Sequence, residues 1–162
     1  MSPRFVADVM LKDIARWLRM MNMQVIYAGD FAEDDDEITK MAAKNNAILL
    51  TKDVEMFEKA KSYCRAELLK SNDPTEILAQ LVKKFNLKFD SRKIAKICPD
   101  CGDRLIRVQK SGIKARVFPK TYKFNKIFWE CENKKCGKIY WKGGHFEKII
   151  ETLKKVKEKA AN

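Results

Sequence analysis

Asp8 interrupts residues 5–21, FVADVMLKDIARWLRMM, which otherwise read as an apolar strand turning into a helix. A charge left unpaired in a core costs several kcal/mol, so this carboxylate must be hydrated, hydrogen-bonded or beside a cation. Asp53 stands just beyond a second apolar run, AILLT at residues 47–51, and the loop between them carries the acidic run EDDDE at residues 33–37. Carboxylates at the ends of neighbouring strands lie roughly 5 Å apart and repel unless a proton or a cation sits between them. The pattern points to a divalent cation, magnesium or manganese, held by Asp8 and Asp53 with a third ligand from the acidic run. Asp35 or Asp36 is the preferred third, Glu37 a weaker one. One or two acids of the run suffice to cap a helix, and Asp30 and Asp34 are expected to be solvated. Such a site activates water for in-line attack on a phosphodiester and needs no Ser, His or Cys nucleophile. The only histidine, His145, lies far along the chain.

Four of the five cysteines form two close pairs, CPDCG (Cys98, Cys101) and CENKKCG (Cys131, Cys136), separated by 29 residues. Each pair precedes a glycine, as a tight turn aiming two thiolates at one tetrahedral ion requires, and the set reads as a zinc ribbon. Two disulfides are the competing interpretation, but nothing suggests an oxidising compartment. The spacing of the second pair, four residues, is wider than the common two. His145, in KGGHFEK, is a possible substitute ligand or RNA contact, though four cysteines leave it more simply a packing or hydrogen-bonding residue. Cys64 stands alone and is expected to be a buried or half-buried thiol.

The elements that must hold these groups alternate regularly. Residues 4–9 read as a strand, and Leu11, Ile14, Ala15, Leu18 and Met21 then recur at helical spacing. A short strand follows at 24–27, then a helix with Ile38, Met41 and Ala42 on one face, the strand at 47–51, and a helix with Val54, Phe57 and Ala60. A weak strand at AELLK precedes a helix opened by Asp73 as N-cap, Pro74, and Glu76 closing a capping box. Four strand–helix units imply a parallel sheet of order 2-1-3-4 with helices on both faces and the functional crevice beyond the strands' carboxyl ends. The last residues form an amphipathic helix that either packs on the body or extends as a basic arm.

Charge divides the chain. Residues 1–90 carry 14 basic and 15 acidic groups (net −1), residues 91–162 carry 20 and 7 (net +13). A polyanion such as RNA is the natural partner of the second part. Lysine enrichment for solubility or heat tolerance is the plainer alternative, but it would not be confined to one half. Between the cysteine pairs, Lys114, Arg116, Lys120 and Lys123 are interleaved with Phe118, Tyr122, Phe124 and Phe128, rings that stack on unpaired bases or fill the ribbon's own core. Trp129, Tyr140 and Trp141 are first choices for that core. Arg16 and Arg19 stand off the apolar stripe of the first helix and are candidate phosphate contacts. No apolar run approaches the roughly 18 residues of a membrane span, and the N-terminus lacks a signal-peptide pattern, so a cytoplasmic location with no membrane partner is expected.

The segments DVMLKDIARWLR, DDDEI, ILLTKD, CPDCG and CGKIYWKGGHFEKI, in this order, resemble the mutator-seven C-terminal RNase domain family. That resemblance implies a PIN-like three-layer α/β domain with a parallel sheet, a small C-terminal zinc ribbon, acidic residues holding magnesium or manganese, and RNA hydrolysis. Matched by position, the acidic set is Asp8, Asp35 or Asp36, and Asp53, and the four ribbon cysteines are zinc ligands. Where the family often has Gly-Lys after the first Met-Leu, this chain has Lys12-Asp13.

The expected organisation is a nuclease-like domain at 1–90, a linker at 91–97, the ribbon at 98–145 and a basic helix at 146–162. Three functions are compatible with these features. The first is a metal-dependent endoribonuclease. The second is an RNA-binding protein, associated with ribosomal RNA or the ribosome, with little or no turnover. The third, a phosphoacceptor receiver-like domain, lacks the expected adjacent acidic pair after strand one and leaves the ribbon unexplained.

Overall fold

The computed structural model describes residues 2–32, 34–94 and 96–162. Glu33, in the acidic run, and Ala95, in the expected linker, lie outside these. The chain runs β1 (Arg4–Ala7), α1 (Lys12–Met20), β2 (Gln24–Tyr27), α2 (Asp35–Lys44), β3 (Ile48–Thr51), α3 (Val54–Ala60), β4 (Ala66–Leu68) and α4 (Pro74–Phe85). There follow β5 (Leu105–Val108), a 3-10 stretch (Lys110–Arg116), α5 (Pro119–Phe124), β6 (Phe128–Cys131), β7 (Ile139–Trp141) and α6 (Gly144–Ala161).

The first four strands form a parallel sheet of order β2-β1-β3-β4, as the alternation of elements requires. β1 and β3 are neighbours in register Ala7 opposite Leu50, which brings the residues after them, Asp8 and Thr51, to the same edge. One core layer packs α1 and α4 on the sheet through Phe5, Ala7, Leu18, Leu50, Ile77 and Leu81. The other packs α2 and α3 through Val6, Ile38, Leu49 and Met56. Both faces of β3 are therefore covered, which is why its four residues are all buried and its sequence shows no alternation.

Two local expectations change. In α3 the buried residues are Met56 and Ala60, while Val54 is exposed. Asp53 accepts the Met56 N–H at 2.8 Å, and that cap sets the helix rotation. At α4, Asp73 caps the Thr75 N–H, but Glu76 accepts from the Ser71 hydroxyl instead of closing a box on Asp73, whose own N–H goes to Ser71 Oγ.

β5-β6-β7 form a separate antiparallel sheet. α6 leaves it and returns to the parallel domain, where Leu153 and Val156 are buried with the residues of α4. The C-terminal segment is thus part of the main core rather than a free arm. Leu153→Ala is expected to cost about 2–5 kcal/mol, as truncation of a buried leucine does. Urea unfolding followed by circular dichroism reads this as a lowered midpoint.

Candidate functional site

The carboxyl edge of the parallel sheet gathers three of the expected carboxylates. Asp8, 3% exposed, is its floor. One oxygen accepts the Val9 N–H and caps the turn that leads into α1; the other accepts from Thr51 Oγ1 at 2.9 Å. Thr51 Oγ1 in turn accepts the Asp53 N–H at 3.0 Å. A buried hydroxyl thereby ties Asp8 to the start of α3 and fixes both carboxylates relative to the sheet. Asp53 is exposed and caps α3.

Of the acidic run, Asp34 is the N-cap of α2 through the Glu37 N–H at 2.9 Å. Asp35 faces the site: burial first, then repulsion from Asp53 and Asp8, hold its carboxyl above the ordinary range. Asp36 pairs instead with Lys59 of α3, whose hydrogen bond and charge lower its pKa. Of the two acids that sequence left open, Asp35 is the one on which the charges of Asp53 and Asp8 act, and Asp36 the one that pairs with Lys59. Asp73 is exposed, capping α4 and lying 3.5 Å from Lys159.

Sequence reasoning assigned no role to Thr51 or Lys59. A hydroxyl ending an otherwise apolar buried strand, two residues before an acid, was the available signal for Thr51. Lys59 carried none, because its proximity to Asp36 depends on how α2 and α3 lie on the sheet.

Among the described residues, one group of three or more potential ligands is close enough to share an ion: Cys98, Cys101, Cys131 and Cys136, with sulfurs all within 4.8 Å of one another. Cys98 and Cys136 Sγ are 3.8 Å apart, Cys101 and Cys131 Sγ 3.3 Å. Four thiols so placed suit a tetrahedral ion such as zinc. Gly102 at φ 85° and Gly137 at φ 55° supply the left-handed backbone that the two turns need. Burial pushes the Cys131 thiol up to about 11. Burial also opposes ionisation of Cys98, but hydrogen bonds from Tyr140 and from backbone N–H groups outweigh it and lower that thiol's pKa. His145 is not part of the group, and Cys64 is half-buried with its pKa raised by burial.

The carboxylates do not converge as closely as the thiols. Their chemistry nonetheless fits a hard divalent ion: oxygen donors only, one anchored and two exposed, with mutual repulsion that a cation would relieve. Magnesium commonly binds through one or two carboxylates and keeps several waters, so a looser set suffices.

The candidate phosphate contacts divide. Arg19 is a correction, since it is fully buried. Its Nε donates to Val25 O at 3.1 Å, and one terminal nitrogen donates to Pro99 O at 3.1 Å and Asp100 O at 2.7 Å. Its guanidinium fastens the first cysteine turn to the sheet. Arg16, half-exposed, lies 3.3 Å from Asp100. Lys114, Lys120 and Lys123 are exposed. Arg116 is partly engaged by Glu130 at 2.7 Å and Gly137 O at 3.2 Å.

Among the aromatics, Phe118 and Phe124 are 79% and 74% exposed, whereas Phe128 is buried. Trp141, expected in the ribbon core, is 37% exposed. Phe128 and Trp141 are register partners, but Phe128 lies on the central strand and Trp141 on the edge strand. Trp129 and Tyr140 pack against the cysteines as expected.

A parallel α/β sheet with acids at its carboxyl edge is thus joined to a small antiparallel sheet that carries four close cysteines. The chain belongs to the Mut7-C RNAse domain family, whose model matches residues 3–153. No curated protein and no solved structure matches it.

Two outcomes follow from the site. Because Asp35 has its pKa raised, its ionisation works against the folded state. That penalty is fully present above its folded pKa and vanishes below the ordinary carboxylate range. Asp35→Asn is therefore expected to raise the urea midpoint at neutral pH, with the difference closing as pH falls through that window and narrowing when manganese is added. In zinc-loaded protein, Arg19→Met is expected to release the ion to a chromophoric chelator about tenfold faster, since outer partners of metal ligands carry effects of about 10–100-fold.

Proposed function

We propose that this protein is a metal-dependent endoribonuclease in which the ribbon contributes RNA affinity. The observation that carries the reading is the trio Asp8, Asp35 and Asp53 at the carboxyl edge of the sheet, in a chain of an RNase domain family. The 2-1-3-4 parallel sheet with helices on both faces further supports a PIN-like assignment for the N-terminal part.

A magnesium or manganese ion held there would supply an activated water and neutralise charge developing on the phosphodiester. Asp8, immobilised by Thr51 and the Val9 N–H, fixes the position of the ligand set. Asp53 and Asp35, exposed at the rim, present oxygens on the side from which a strand approaches. Thr51 is a positioning residue, keeping the Asp8 carboxylate and the Asp53 backbone in one geometry. The exposed Lys114, Lys120 and Lys123, with the rings of Phe118 and Phe124, offer phosphate and base contacts on the ribbon.

The separation of the carboxylates favours a second reading, RNA binding without turnover, including association with ribosomal RNA. Cleavage of structured and unstructured RNAs with added magnesium or manganese decides between the two. Chelation is a poor control, because it also threatens zinc in the ribbon. Asp8→Asn and Asp53→Asn are each expected to lower cleavage about 100-fold or more while RNA affinity is retained, and Thr51→Val about 10–100-fold. Salt-dependent binding with no cleavage by the wild type would move the assignment to a binding protein.

A further inference from the structure

Residues 143–146 of the motif KGGHFEK, which the catalytic reading leaves unused, line an apolar pocket where α1, β7 and the start of α6 meet. Its volume is about 400 Å³, in the range of small-molecule sites. Trp129, Tyr140, Trp141 and Phe146 are among its lining residues, with Arg16 and His145 as polar ones. No carboxylate lines it among the described residues. Lys142 stands beside it, its Nζ 5.9 Å from the Trp129 ring centroid and 5.0 Å from that of Phe146.

We infer that this pocket takes one unpaired nucleobase of a single-stranded RNA. The inference rests on the RNA-acting reading above and adds a base-binding subsite to it. Aromatic residues around a pocket suit the π-face of a base, and stacking of this kind is largely indifferent to which base it is. Lys142, in the part of the chain that carries the net +13, and Arg16 of α1, paired with Asp100 at 3.3 Å, are the basic groups at the rim, and Lys142 gives it the sign that an adjoining phosphate requires. An apolar peptide would need neither the cations nor so many rings.

The glycines fit this role. A Cβ on Gly143 would lie 3.0 Å from Trp141 Nε1, so the indole rests directly against that backbone. A Cβ on Gly144 would meet nothing within 4 Å, leaving the pocket mouth open. Tyr140 also donates to Asp100 at 3.1 Å and lies 3.2 Å from Cys98 Sγ, so one wall is braced by the cysteine cluster.

The test compares the affinity of the full chain for a single-stranded oligoribonucleotide, an abasic strand of the same length and charge, a duplex, and free UMP or AMP. Fluorescence anisotropy, or competition for UMP and AMP, at fixed salt without added magnesium or manganese supplies the dissociation constants. The wild type is expected to prefer the base-bearing single strand over the abasic strand by about tenfold. Gly144→Phe, which fills the mouth, and Trp141→Ala, which removes one aromatic side chain, should each lower that ratio several-fold with zinc content unchanged, the remainder belonging to Phe118 and Phe124. Equal binding of intact and abasic strands by the wild type would overturn the pocket while leaving RNA affinity standing. So would a preference undiminished in both variants. Free UMP or AMP binding as tightly as the strand would reassign the pocket to mononucleotides and overturn the strand inference. Failure to bind any strand would remove the RNA reading itself, and the pocket with it.

Discussion

The Arg19 guanidinium reaches the carbonyl oxygens of Val25, Pro99 and Asp100, and so bonds at once to the parallel sheet and to the turn holding Cys98 and Cys101. Burying an arginine is unfavourable unless its donors are matched, and desolvation does lower its pKa. The nearby Asp30, Cys101, Cys98 and Asp100 offset that cost. Asn22 reinforces the join, donating to Lys93 O at 2.7 Å and accepting the Lys96 N–H at 3.0 Å. The seam contacts depend on this fixed docking, because Arg16 and Met20 of α1 reach the ribbon pocket only where the cysteine turn is pinned.

A second constraint works in the opposite sense. At the carboxyl edge, burial first and then repulsion from Asp53 and Asp8 raise the pKa of Asp35. The fold tolerates this because Asp8 is tied down on both oxygens and Asp53 is committed to its helix, so neither swings away to relieve the repulsion. The cost of holding these acids together falls on stability.

The division of charge along the chain does not survive unchanged in space. α6 belongs to the basic part, yet it packs against α4, and Lys159 lies 3.5 Å from Asp73 and 4.0 Å from Glu76. Part of the net +13 is therefore laid against the near-neutral domain, while the segment between the cysteine pairs keeps its lysines exposed beside Phe118 and Phe124.

The sequence by itself determined the sheet order, the start of α4 and the grouping of the cysteines. These rest on local chemistry: apolar runs of strand length, capping residues, and thiols flanked by glycine. It also placed Asp8 and Asp53 at one edge, since alternating strands and helices make both follow parallel strands. Only the tertiary structure separated Asp35 from Asp36, because a helix turns about 100° per residue and one position decides which side an acid faces. Only it moved Arg19 from candidate phosphate contact to buried clasp, its partners at Pro99 and Asp100 lying some eighty residues away. The exposure of Trp141 was settled in the same way, by a strand position at the sheet edge that composition does not encode.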